Sequence, residues 1–516
     1  MPSVGLFAGL FVLYWVWTAI YRLYLSPLAK IPGPKIAALT TWYCAYHDII
    51  RGGQYVWVVE EMHRKYGPIV RTMPGVVHVN DPAFIEKLYT LAPNVRRERG
   101  WPVLNMFGND KAMLPTRDHD LHRRRRAVIS RYFSQQNVRR LVPFINDTLG
   151  DLLERFDKWA EASDIIQISM PYRAATKDVI QSYAFGEGEK CLSMPDCNAG
   201  FFAIIETNRL VHISIHLPAM MAVVNNLPAN VAKLLIPTVG SFIQFLEGLA
   251  VTIEGIRNSK EDPERRTIFH EILHSDIAEQ EKSTSRMVDE AMVLAIAGAD
   301  TTAATLEVLT YHVLSDKEIF KRLRAELDQA IPDPTQFPDP VKLDNLPFLN
   351  ALIEETLRLY PSATHRQDRL APDEDLVYEY PDGRSVTIPR GTVVGMSALL
   401  VNRSPMWYEN PDEFRPDRYL ENPKSFKRML TFSKGARQCL GINLAYQELQ
   451  TFTAGIFRKY GPYDPELKEQ SGPTLELYQT TLEDVKTHAD YVTPGLRPGS
   501  KGVQVRIRRN WPSCAL

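Results

Sequence analysis

The sequence predicts a mainly α-helical domain with small β-sheets, preceded by an N-terminal transmembrane helix. Apolar residues recur at helical spacing over long segments of the 516-residue chain, whereas the alternation typical of strands is sparse. The N terminus carries an uncharged run of 17 residues, which is long enough to cross a bilayer core. Beyond about residue 55, no linker, internal repeat or change of composition marks a second domain. We therefore expect one large domain behind the anchor.

Helical periodicity is clearest in seven segments, and strand-like alternation occurs in three short regions. The helical segments are residues 118–133, 137–160, 200–215, 241–257, 284–314, 317–330 and 346–359. The strand regions are Ile69–Asn80, the pair Leu376–Tyr380 and Val386–Ile388 joined by a Pro-Asp-Gly turn, and Gly502–Ile507.

The uncharged N-terminal run, Val4–Ile20, reads VGLFAGLFVLYWVWTAI. At about 1.5 Å per residue, a helix of this length just spans a bilayer core. No lysine or arginine precedes the run, whereas Arg22, Lys30 and Lys35 follow it, so the positive-inside rule places the remainder of the chain on the cytosolic side. A cleaved signal peptide is the alternative, but it would have a basic segment before a shorter apolar run.

The anchor is followed by LAKIPGPK, residues Leu28–Lys35, in which two prolines and a glycine cannot continue the helix. We interpret this stretch as a stiff hinge. The predicted organisation is a membrane anchor over residues 1–24, a proline-rich hinge over 25–40 and one large domain over 41–516.

Composition excludes several functional classes. Lysine and arginine total 60 against 61 acidic residues, so the net charge of -1 gives no general attraction to nucleic acid or to anionic membranes. Five cysteines in so long a chain are too few for a disulfide framework and are typical of a reducing compartment. Any electrostatic recognition must come from local patches.

The stretch FSKGARQCLG, Phe432–Gly441, places Cys439 after a loop with basic residues and before an apolar, helix-like run. Among the other cysteines only Cys514 lies anywhere near it in the sequence, which excludes a CxxC metal or redox pair. These observations alone leave the function of the sulfur open.

At both ends of the segment Met292–Leu314, every face of the predicted helix is apolar, which indicates a helix buried in the core of a large domain. Asp300 lies in its middle, and no cation three or four residues away can pair with it. Three interpretations stay open: the acid bonds a distant side chain, it lies on the one wet stripe of a surface helix, or it handles protons beside a cavity. Gly298 would add space for such a cavity, and Thr301 with Thr302 would supply hydroxyl groups.

Other charged residues stand in patterns that are ambiguous by themselves. Glu355 and Arg358 share a helix face, and periodicity favours an exposed pair. Arg418 follows a proline-restricted turn among aromatic residues. The run HRRRR, beginning at His122, is typical of a solvated basic face, and the absence of a wider basic surplus disfavours nucleic acid. His122 and Arg126, at i and i+4, could together reach one anionic group.

Together these motifs resemble those of the cytochrome P-450 monooxygenases. The pattern FxxGxRxCxG over residues 432–441 is similar to the haem-binding loop of that family. AGxDTT over 297–302 is similar to its oxygen-activating helix, ExxR over 355–358 to its K-helix pair, and PDRY over 416–419 to the segment with the third triad residue. All four occur in the family's order, and with the anchor and hinge the resemblance covers essentially the whole chain.

The resemblance implies the cytochrome P-450 fold and haem b as the cofactor, with Cys439 as the proximal thiolate ligand of the iron. It further implies that Phe432 packs beside the sulfur, that Gly435 lets the backbone approach the porphyrin, and that amides around Gly441 hydrogen-bond the thiolate. The residues implied to meet the haem propionates are Arg437, Arg126 with His122, and Arg369.

On the distal side, the resemblance implies that Thr301 holds water by hydrogen bonds and that Asp300 relays protons from solvent. Glu355, Arg358 and Arg418 would form a structural triad that supports the haem-binding loop. We expect loss of the triad to reduce haem incorporation before it changes specificity.

An anchored, cytosol-facing member of this family resembles those that receive electrons from an NADPH-dependent cytochrome P-450 reductase. Arg123, Arg124, Arg125 and Lys434 form the predicted docking patch for that acidic partner. The expected location is the endoplasmic reticulum membrane, with residues 41–516 as a cytosolic haem domain behind a single membrane span.

Three stretches, FSKGARQCLGINLAYQ, THRQDRLAP and GSKGVQV, resemble fungal secondary-metabolite members of the trichodiene-oxygenase type. This implies a small apolar substrate, a terpenoid or a polyketide, and insertion of one oxygen atom of O2. The predicted substrate contacts are the loop Trp101–Leu114, the stretch Phe201–Ile243, the distal helix near Ala295 and Ala299, the segment Ser362–His365 and the hairpin near Tyr491.

Two alternatives stay open at this point. One is a haem-thiolate isomerase or dehydratase that acts on a peroxide, which Asp300 and Thr301 argue against because such an enzyme needs no proton relay. The other is a membrane-tethered haem-binding protein without turnover, which would not consume NADPH with a reductase and substrate.

Overall fold

The structure, a computed structural model, describes residues 2–104, 111–186, 188, 190–206, 211–220, 237–259, 267–466 and 472–509. The chain is 57% helical and has small sheets, as predicted. The largest core cluster surrounds one long central helix, and two smaller clusters cover the two faces of the largest sheet.

The helices with described bounds are numbered here in chain order. They are α1 Pro2–Ile20, α2 Lys35–Leu39, α3 Trp42–Ala45, α4 Tyr55–Tyr66, α5 Ile85–Leu88, α6 His119–Ser130, α7 Gln135–Arg139, α8 Val142–Ala162, α9 Ser169–Phe185, α10 Ala199–Glu206, α11 Val211–His216, α12 Pro237–Asn258, α13 Ile268–Leu273, α14 Thr284–Ser315, α15 Lys317–Ala330, α16 Pro340–Leu343, α17 Pro347–Leu359, α18 Ala398–Val401, α19 Asp417–Glu421 and α20 Ile442–Lys459. Tyr21–Leu25 and Tyr46–Ile50 are π-helical turns.

The strands form two sheets of five and four strands and two hairpins. They are β1 Ile69–Met73, β2 Val76–Val79, β3 Glu98–Arg99, β4 Ile165–Gln167, β5 Arg369–Leu370, β6 Leu376–Glu379, β7 Ser385–Ile388, β8 Val393–Gly395, β9 Gly461–Pro462, β10 Thr474–Leu477, β11 Ala489–Tyr491, β12 Thr493–Gly495 and β13 Gln504–Arg508. The larger sheet has the order β1-β2-β8-β5-β3, the smaller has β4-β13-β10-β9, and β6-β7 and β11-β12 are hairpins.

Each predicted helical segment contains a helix, and each predicted strand region contains a strand. The region Ile69–Asn80, predicted as one stretch, is a hairpin because Pro74 and Gly75 form a turn between β1 and β2. Residues 207–210, inside the predicted helical segment 200–215, lie outside the described residues.

The central helix α14 packs along α9, which the sequence analysis did not predict. Most side chains of α9 are buried, including Lys177 and Asp178, so no polar face reveals a helical period. Gly298 of α14 lies at the contact, where a Cβ atom would come within 2.7 Å of Ile180. Gly298 therefore permits close packing of two helices, in place of the extra cavity space that we expected from it.

None of the residues Gly5–Leu25 is buried, and they form one of two described helical spans long and apolar enough to cross a membrane; the other is α14, just over half of which is buried. The segment predicted as a hinge, residues 25–40, packs on the sheet through α2 and β1. There the Arg71 amide N–H donates to the carbonyl oxygen of Pro32, over 2.7 Å.

Candidate functional site

Cys439 lies in the loop that leads into α20. Its amide N–H donates to the Phe432 carbonyl oxygen over 2.8 Å, and the Gly441 amide donates to its sulfur. Burial raises the pKa of the Cys439 thiol, whereas the Gly441 amide and the nearby Arg126 charge act in the opposite direction. Cys439 is nevertheless exposed, so this residue borders open space although protein surrounds it.

The Cys439 loop is held against the segment after α5. Gly435 has a φ of +74°, and a Cβ atom there would lie 2.6 Å from the Tyr89 carbonyl oxygen. The absence of a side chain at Gly435 therefore lets the loop lie close to the Tyr89 backbone, a contact that the sequence did not predict. The Phe432 ring packs against Tyr446 of α20, with their centroids 5.4 Å apart.

Near this loop lie three arginines, Arg99, Arg369 and Arg437, none of which has a carboxylate partner among the described residues. Arg99 in β3 pairs directly with Arg369 in β5 in the sheet register. Burial, followed by the charges of Arg369 and Arg99, lowers the pKa of Arg437 to about 8. Burial likewise lowers the pKa of Arg99 to about 9. Like charges placed opposite one another in a sheet are destabilising, so this arrangement fits a bound anionic group.

The guanidinium groups of this cluster are fixed mainly by backbone carbonyl oxygens. Arg437 donates to the carbonyl oxygens of Thr116 (2.7 Å) and Arg117 (2.8 Å). Arg369 donates to the Ser433 hydroxyl over 3.1 Å, which links it to the Cys439 loop. Neutral partners orient the positive charges without cancelling them, so the charges remain available to a ligand.

Helix α6 supplies the next two predicted residues. Asp118 caps the helix by accepting the Leu121 amide over 2.7 Å. Arg126, one turn after His122, donates to the Gln438 carbonyl oxygen over 2.8 Å. Burial and the surrounding arginines lower the pKa of His122 to about 2, so its imidazole is neutral at physiological pH.

Arg99 was missed by the sequence reasoning. Its Nη1 donates to the Leu114 carbonyl oxygen over 2.9 Å, and its Nε is buried without a hydrogen-bond partner. The sequence contains a weak signal, because Arg99 ends a basic stretch, RRER, that no helical period explains. Only the pairing of β3 with β5 brings Arg99 to Arg369.

Asp300 is buried and pairs with a distant cation, as one of the three interpretations of the sequence proposed. Arg173 of α9 places its Nε 2.8 Å from Asp300 Oδ1. Arg173 also lies 3.4 Å from the exposed Glu206 of α10, so a chain of charged groups links Asp300 to solvent. The neighbouring Thr301 donates its hydroxyl to the Ala297 carbonyl oxygen over 2.9 Å.

Along α14, an accessible stripe includes the exposed Ala297 and the partly exposed Val293, Thr301 and Ala304. These positions recur at helical spacing, so they share a face. Substrate contacts are predicted near Ala295 and Ala299, and these two residues are themselves buried. Ala299 accepts the Thr176 hydroxyl of α9 at its carbonyl oxygen, over 2.6 Å.

In the predicted contact segment Ser362–His365, only Ala363 is exposed. Thr364 and His365 instead bond the carboxylate of Asp490, over 2.7 Å and 2.8 Å. Tyr491, in the predicted hairpin, is partly accessible. Of the two longer predicted contact regions, residues 105–110, 207–210 and 221–236 lie outside the described residues.

The predicted triad is assembled and fully buried. Glu355 accepts from Arg358 through both carboxylate oxygens (2.8 Å and 2.9 Å) and from Arg418 (2.9 Å). Periodicity favoured an exposed Glu355–Arg358 pair, and this is wrong, because neither side chain has any exposed area. Both arginines also lie over the Tyr408 ring.

The triad reaches the Cys439 loop through Asn402. Arg358 donates to the Asn402 carbonyl oxygen over 3.1 Å. The Asn402 side chain accepts the Leu430 amide over 2.8 Å and donates to the Thr431 hydroxyl over 2.9 Å. These residues immediately precede Phe432, so the triad and the loop are mechanically connected.

One residue of the predicted docking patch points elsewhere. Arg125 is only 11% exposed and forms a two-bond ion pair with Glu281, over 2.6 Å and 3.0 Å. Its assignment to the patch is therefore wrong. Arg123 and Arg124 are exposed on α6.

Comparison with known proteins identifies the family. The cytochrome P-450 family model matches residues 34–477. Among similar proteins, the cytochrome P-450 monooxygenase tpcC of Cochliobolus heterostrophus is 36% identical. The match covers 96% of this chain and 95% of the tpcC chain. The monooxygenase astB of Talaromyces wortmannii is 37% identical, and the match covers 98% of both chains. The N-acetyltryptophan 6-hydroxylase ivoC of Emericella nidulans is 32% identical, and this match also covers 98% of both chains. The chain therefore belongs to the cytochrome P-450 family of haem-thiolate enzymes, among the oxygen-incorporating monooxygenases of fungal secondary metabolism.

Proposed function

We propose that this protein inserts one oxygen atom of O2 into a small apolar intermediate of fungal secondary metabolism, with Cys439 as the axial ligand of its haem iron. The observation that carries this proposal is the arrangement around Cys439. The exposed residue Cys439 borders open space, and nearby arginines have no carboxylate partner among the described residues. A thiolate ligand and a dianionic macrocycle satisfy both features.

The residues present fit haem b. Cys439 would bind the iron, with its sulfur oriented by the Gly441 amide, and Phe432 would flank it. When bound, a thiolate-ligated haem supplies an iron centre that favours cleavage of the O–O bond. The residues that would hold its propionates are Arg99, Arg369, Arg437 and Arg126, with neutral His122 as a further hydrogen-bond partner.

Asp300 and Thr301 would deliver protons on the opposite side. Thr301 lies on the accessible stripe of α14, where its hydroxyl can orient a water molecule. Asp300 lies next to it and connects to solvent through Arg173 and Glu206. In this proposal Asp300 supplies protons from the surface, and Thr301 positions them at the oxygen that leaves as water.

Arg99→Gln should weaken haem retention, because it removes one unpaired charge from the proposed propionate site. We expect the haem-to-protein ratio after gel filtration to fall severalfold, whereas Arg96→Gln should leave it unchanged. Arg96 is a matched control, since it lies on the surface among the acids Glu98, Asp118, Asp120 and Asp373. Equal haem retention in both variants would contradict the role of Arg99.

Thr301→Ala should keep haem content but uncouple NADPH consumption from product, because water is no longer oriented at the stripe. We expect the ratio of product to NADPH to fall about tenfold, within the range for removing a positioned proton donor. Thr301→Ser, which keeps the hydroxyl, should restore most of the coupling. Unchanged coupling in Thr301→Ala would contradict the assignment of Thr301 to the relay.

The substrate class is also part of the proposal. A terpenoid or polyketide of the kind implied by the sequence motifs would meet the apolar stripe of α14. One relative is named an N-acetyltryptophan 6-hydroxylase and another a tryptophan 6-hydroxylase. A substrate screen should therefore include indole amino acids beside terpenoids and polyketides, with binding read from the shift of the Soret band.

The proposal also covers the electron donor of this protein and the membrane in which the protein lies. We assign the electron donor to an NADPH-dependent reductase that meets the exposed Arg123 and Arg124 of α6. The same helix directs His122 and Arg126 toward the Cys439 loop, so a partner docked there would be near the haem. The exposed apolar residues of α1 and the exposed Trp42 and Ile50 beyond it suit a membrane surface, which we assign to the endoplasmic reticulum.

A further inference from the structure

Arg71 of β1 carries a buried charge that the monooxygenase chemistry does not use. Only 2% of this residue is exposed, and among the described residues no carboxylate pairs with it. Burial lowers the pKa of Arg71, and the nearby positive charge of Arg22 lowers it further. A buried charge without an opposite charge destabilises a fold, so an anion at this position would stabilise the protein.

The other buried arginines show what Arg71 lacks. Among the described residues, five of them have a carboxylate oxygen within 3.2 Å, in the pairs Arg97–Glu374, Arg286–Glu290, Arg358–Glu355, Arg366–Asp368 and Arg418–Glu355. The remaining two, Arg369 and Arg437, belong to the cluster that we assign to the haem propionates. Arg71 shares their pattern, a buried guanidinium held by neutral groups, which indicates a second site for an anionic group.

Arg71 and Arg22 are both oriented by backbone carbonyl oxygens. Arg71 donates from Nη1 to the Arg22 carbonyl oxygen over 2.6 Å and from Nη2 to the Pro74 carbonyl oxygen over 2.7 Å. Its Nε is buried without a hydrogen-bond partner. The partly exposed Arg22 donates from Nη1 to the Leu39 carbonyl oxygen. A guanidinium has more N–H groups than these bonds use, so both side chains keep donors for a further acceptor.

Arg22 lies near the end of the apolar span Gly5–Leu25, on the side that leads into the haem domain. The sequence contains no acidic residue before Asp48, whereas Lys30 and Lys35 add two exposed positive charges after Arg22. Basic segments beside a membrane span attract anionic lipids, whose phosphate groups lie at the depth where the span ends. A bilayer would therefore bring a phosphate group to two arginines that have no protein anion.

A simpler role for Arg71 would be to cap the carbonyl end of the helical segment that ends at Leu25. Its bond to the Arg22 carbonyl oxygen is of this type. The carbonyl end of a helix, however, carries only about half an elementary charge. A cap therefore accounts for the orientation of Arg71, but it leaves the two neighbouring positive charges without a full negative charge.

We propose that Arg22 and Arg71 bind the phosphate group of an anionic phospholipid from the bilayer that holds α1. This inference rests on the membrane location proposed above. The remaining N–H groups of the partly exposed Arg22 would donate to the phosphate, whose charge would also offset that of Arg71. Because Arg71 belongs to β1, a bound headgroup would fix the larger sheet against the membrane anchor and so orient the haem domain on the bilayer.

The test uses the full-length, haem-loaded protein in detergent, with phosphatidylserine and phosphatidylcholine as the probe lipids. In lipid titrations followed by native mass spectrometry, we expect the wild type to bind one phosphatidylserine molecule more tightly than phosphatidylcholine. Arg22→Gln should raise the Kd for phosphatidylserine about tenfold, equivalent to about 1.4 kcal/mol. Lys30→Gln is the matched control, because it removes an exposed charge from the same segment, and it should bind like the wild type.

Arg71→Gln should raise the same Kd by a similar factor. Because this variant changes a buried group, its haem content and far-ultraviolet circular dichroism are compared with those of the wild type first. If it does not fold, the comparison of Arg22→Gln with Lys30→Gln decides.

The outcomes separate a lipid site from its alternatives. Equal Kd values for Arg22→Gln and Lys30→Gln, or equal wild-type affinity for the two lipids, would overturn the proposal and leave Arg71 as a helix cap. Inorganic phosphate that displaces phosphatidylserine at similar concentrations would overturn the assignment to a lipid in favour of free phosphate. Flotation with phosphatidylcholine vesicles tests the membrane location separately, and the carbon monoxide difference spectrum of the same samples tests Cys439.

Discussion

Arg358→Ala is expected to yield protein that is almost free of haem. The side chain is fully buried between Glu355 and the carbonyl oxygens of Asn402, Pro411 and Glu413. Its loss leaves the Glu355 charge with Arg418 alone, which costs about 3–5 kcal/mol for a buried pair. That is a large share of the roughly 5–15 kcal/mol that stabilises a typical domain.

The measurement is the haem-to-protein ratio of purified Arg358→Ala, together with its thermal unfolding midpoint. Arg384→Ala is the matched control, because Arg384 pairs with Asp382 at a surface where its side chain is 74% exposed. Such pairs contribute about 0–1 kcal/mol, so the control should match the wild type. A haem-loaded Arg358→Ala protein with wild-type stability would show that the triad does not support the Cys439 loop.

Cys439→Ala is expected to abolish product formation, because no other described side chain can place a thiolate at the proposed iron position. The four arginines of the propionate site remain, so we expect some haem to be retained. The measurement is NADPH-dependent product formation per haem, with Cys191→Ala as the control. Cys191 is a buried free cysteine whose sulfur accepts from Lys177 over 3.1 Å. Turnover at the wild-type rate in Cys439→Ala would show that its sulfur is not the ligand.

The sequence predicted the parts of the site that depend on short, fixed spacing. Glycine, arginine and cysteine within ten residues specify a tight loop before a helix, and α20 begins directly after Gly441. The long helices were predictable because their apolar periods are strong. Asp300 illustrates the limit, since periodicity shows a buried acid but cannot show Arg173 as its partner.

Features that depend on tertiary contacts could not be predicted. Among the consecutive arginines 123–126, only packing decides that Arg125 meets Glu281 and that Arg126 meets Gln438. Arg99 joins the site through a strand pair of two residues, which is too short to leave a pattern. The packing of α9 over Ala299 could not be predicted, because α9 has no polar face that reveals its helical period.

The same reasoning applies to Glu355 and Arg358. A helical wheel places them opposite the leucines, which is typical of a solvent-facing pair. The residues that cover this face lie in the segment 402–418, which no periodic pattern relates to α17. Burial of this pair could be inferred only from the order of motifs along the chain.

The most direct test of the central claim, that Cys439 ligates a haem iron as a thiolate, is the carbon monoxide difference spectrum of the reduced wild-type protein in membranes. We expect a thiolate-type Soret band, because the Cys439 sulfur accepts the Gly441 amide and Cys439 is an exposed residue that borders open space. A folded, haem-loaded wild-type protein without that band would contradict the assignment of Cys439.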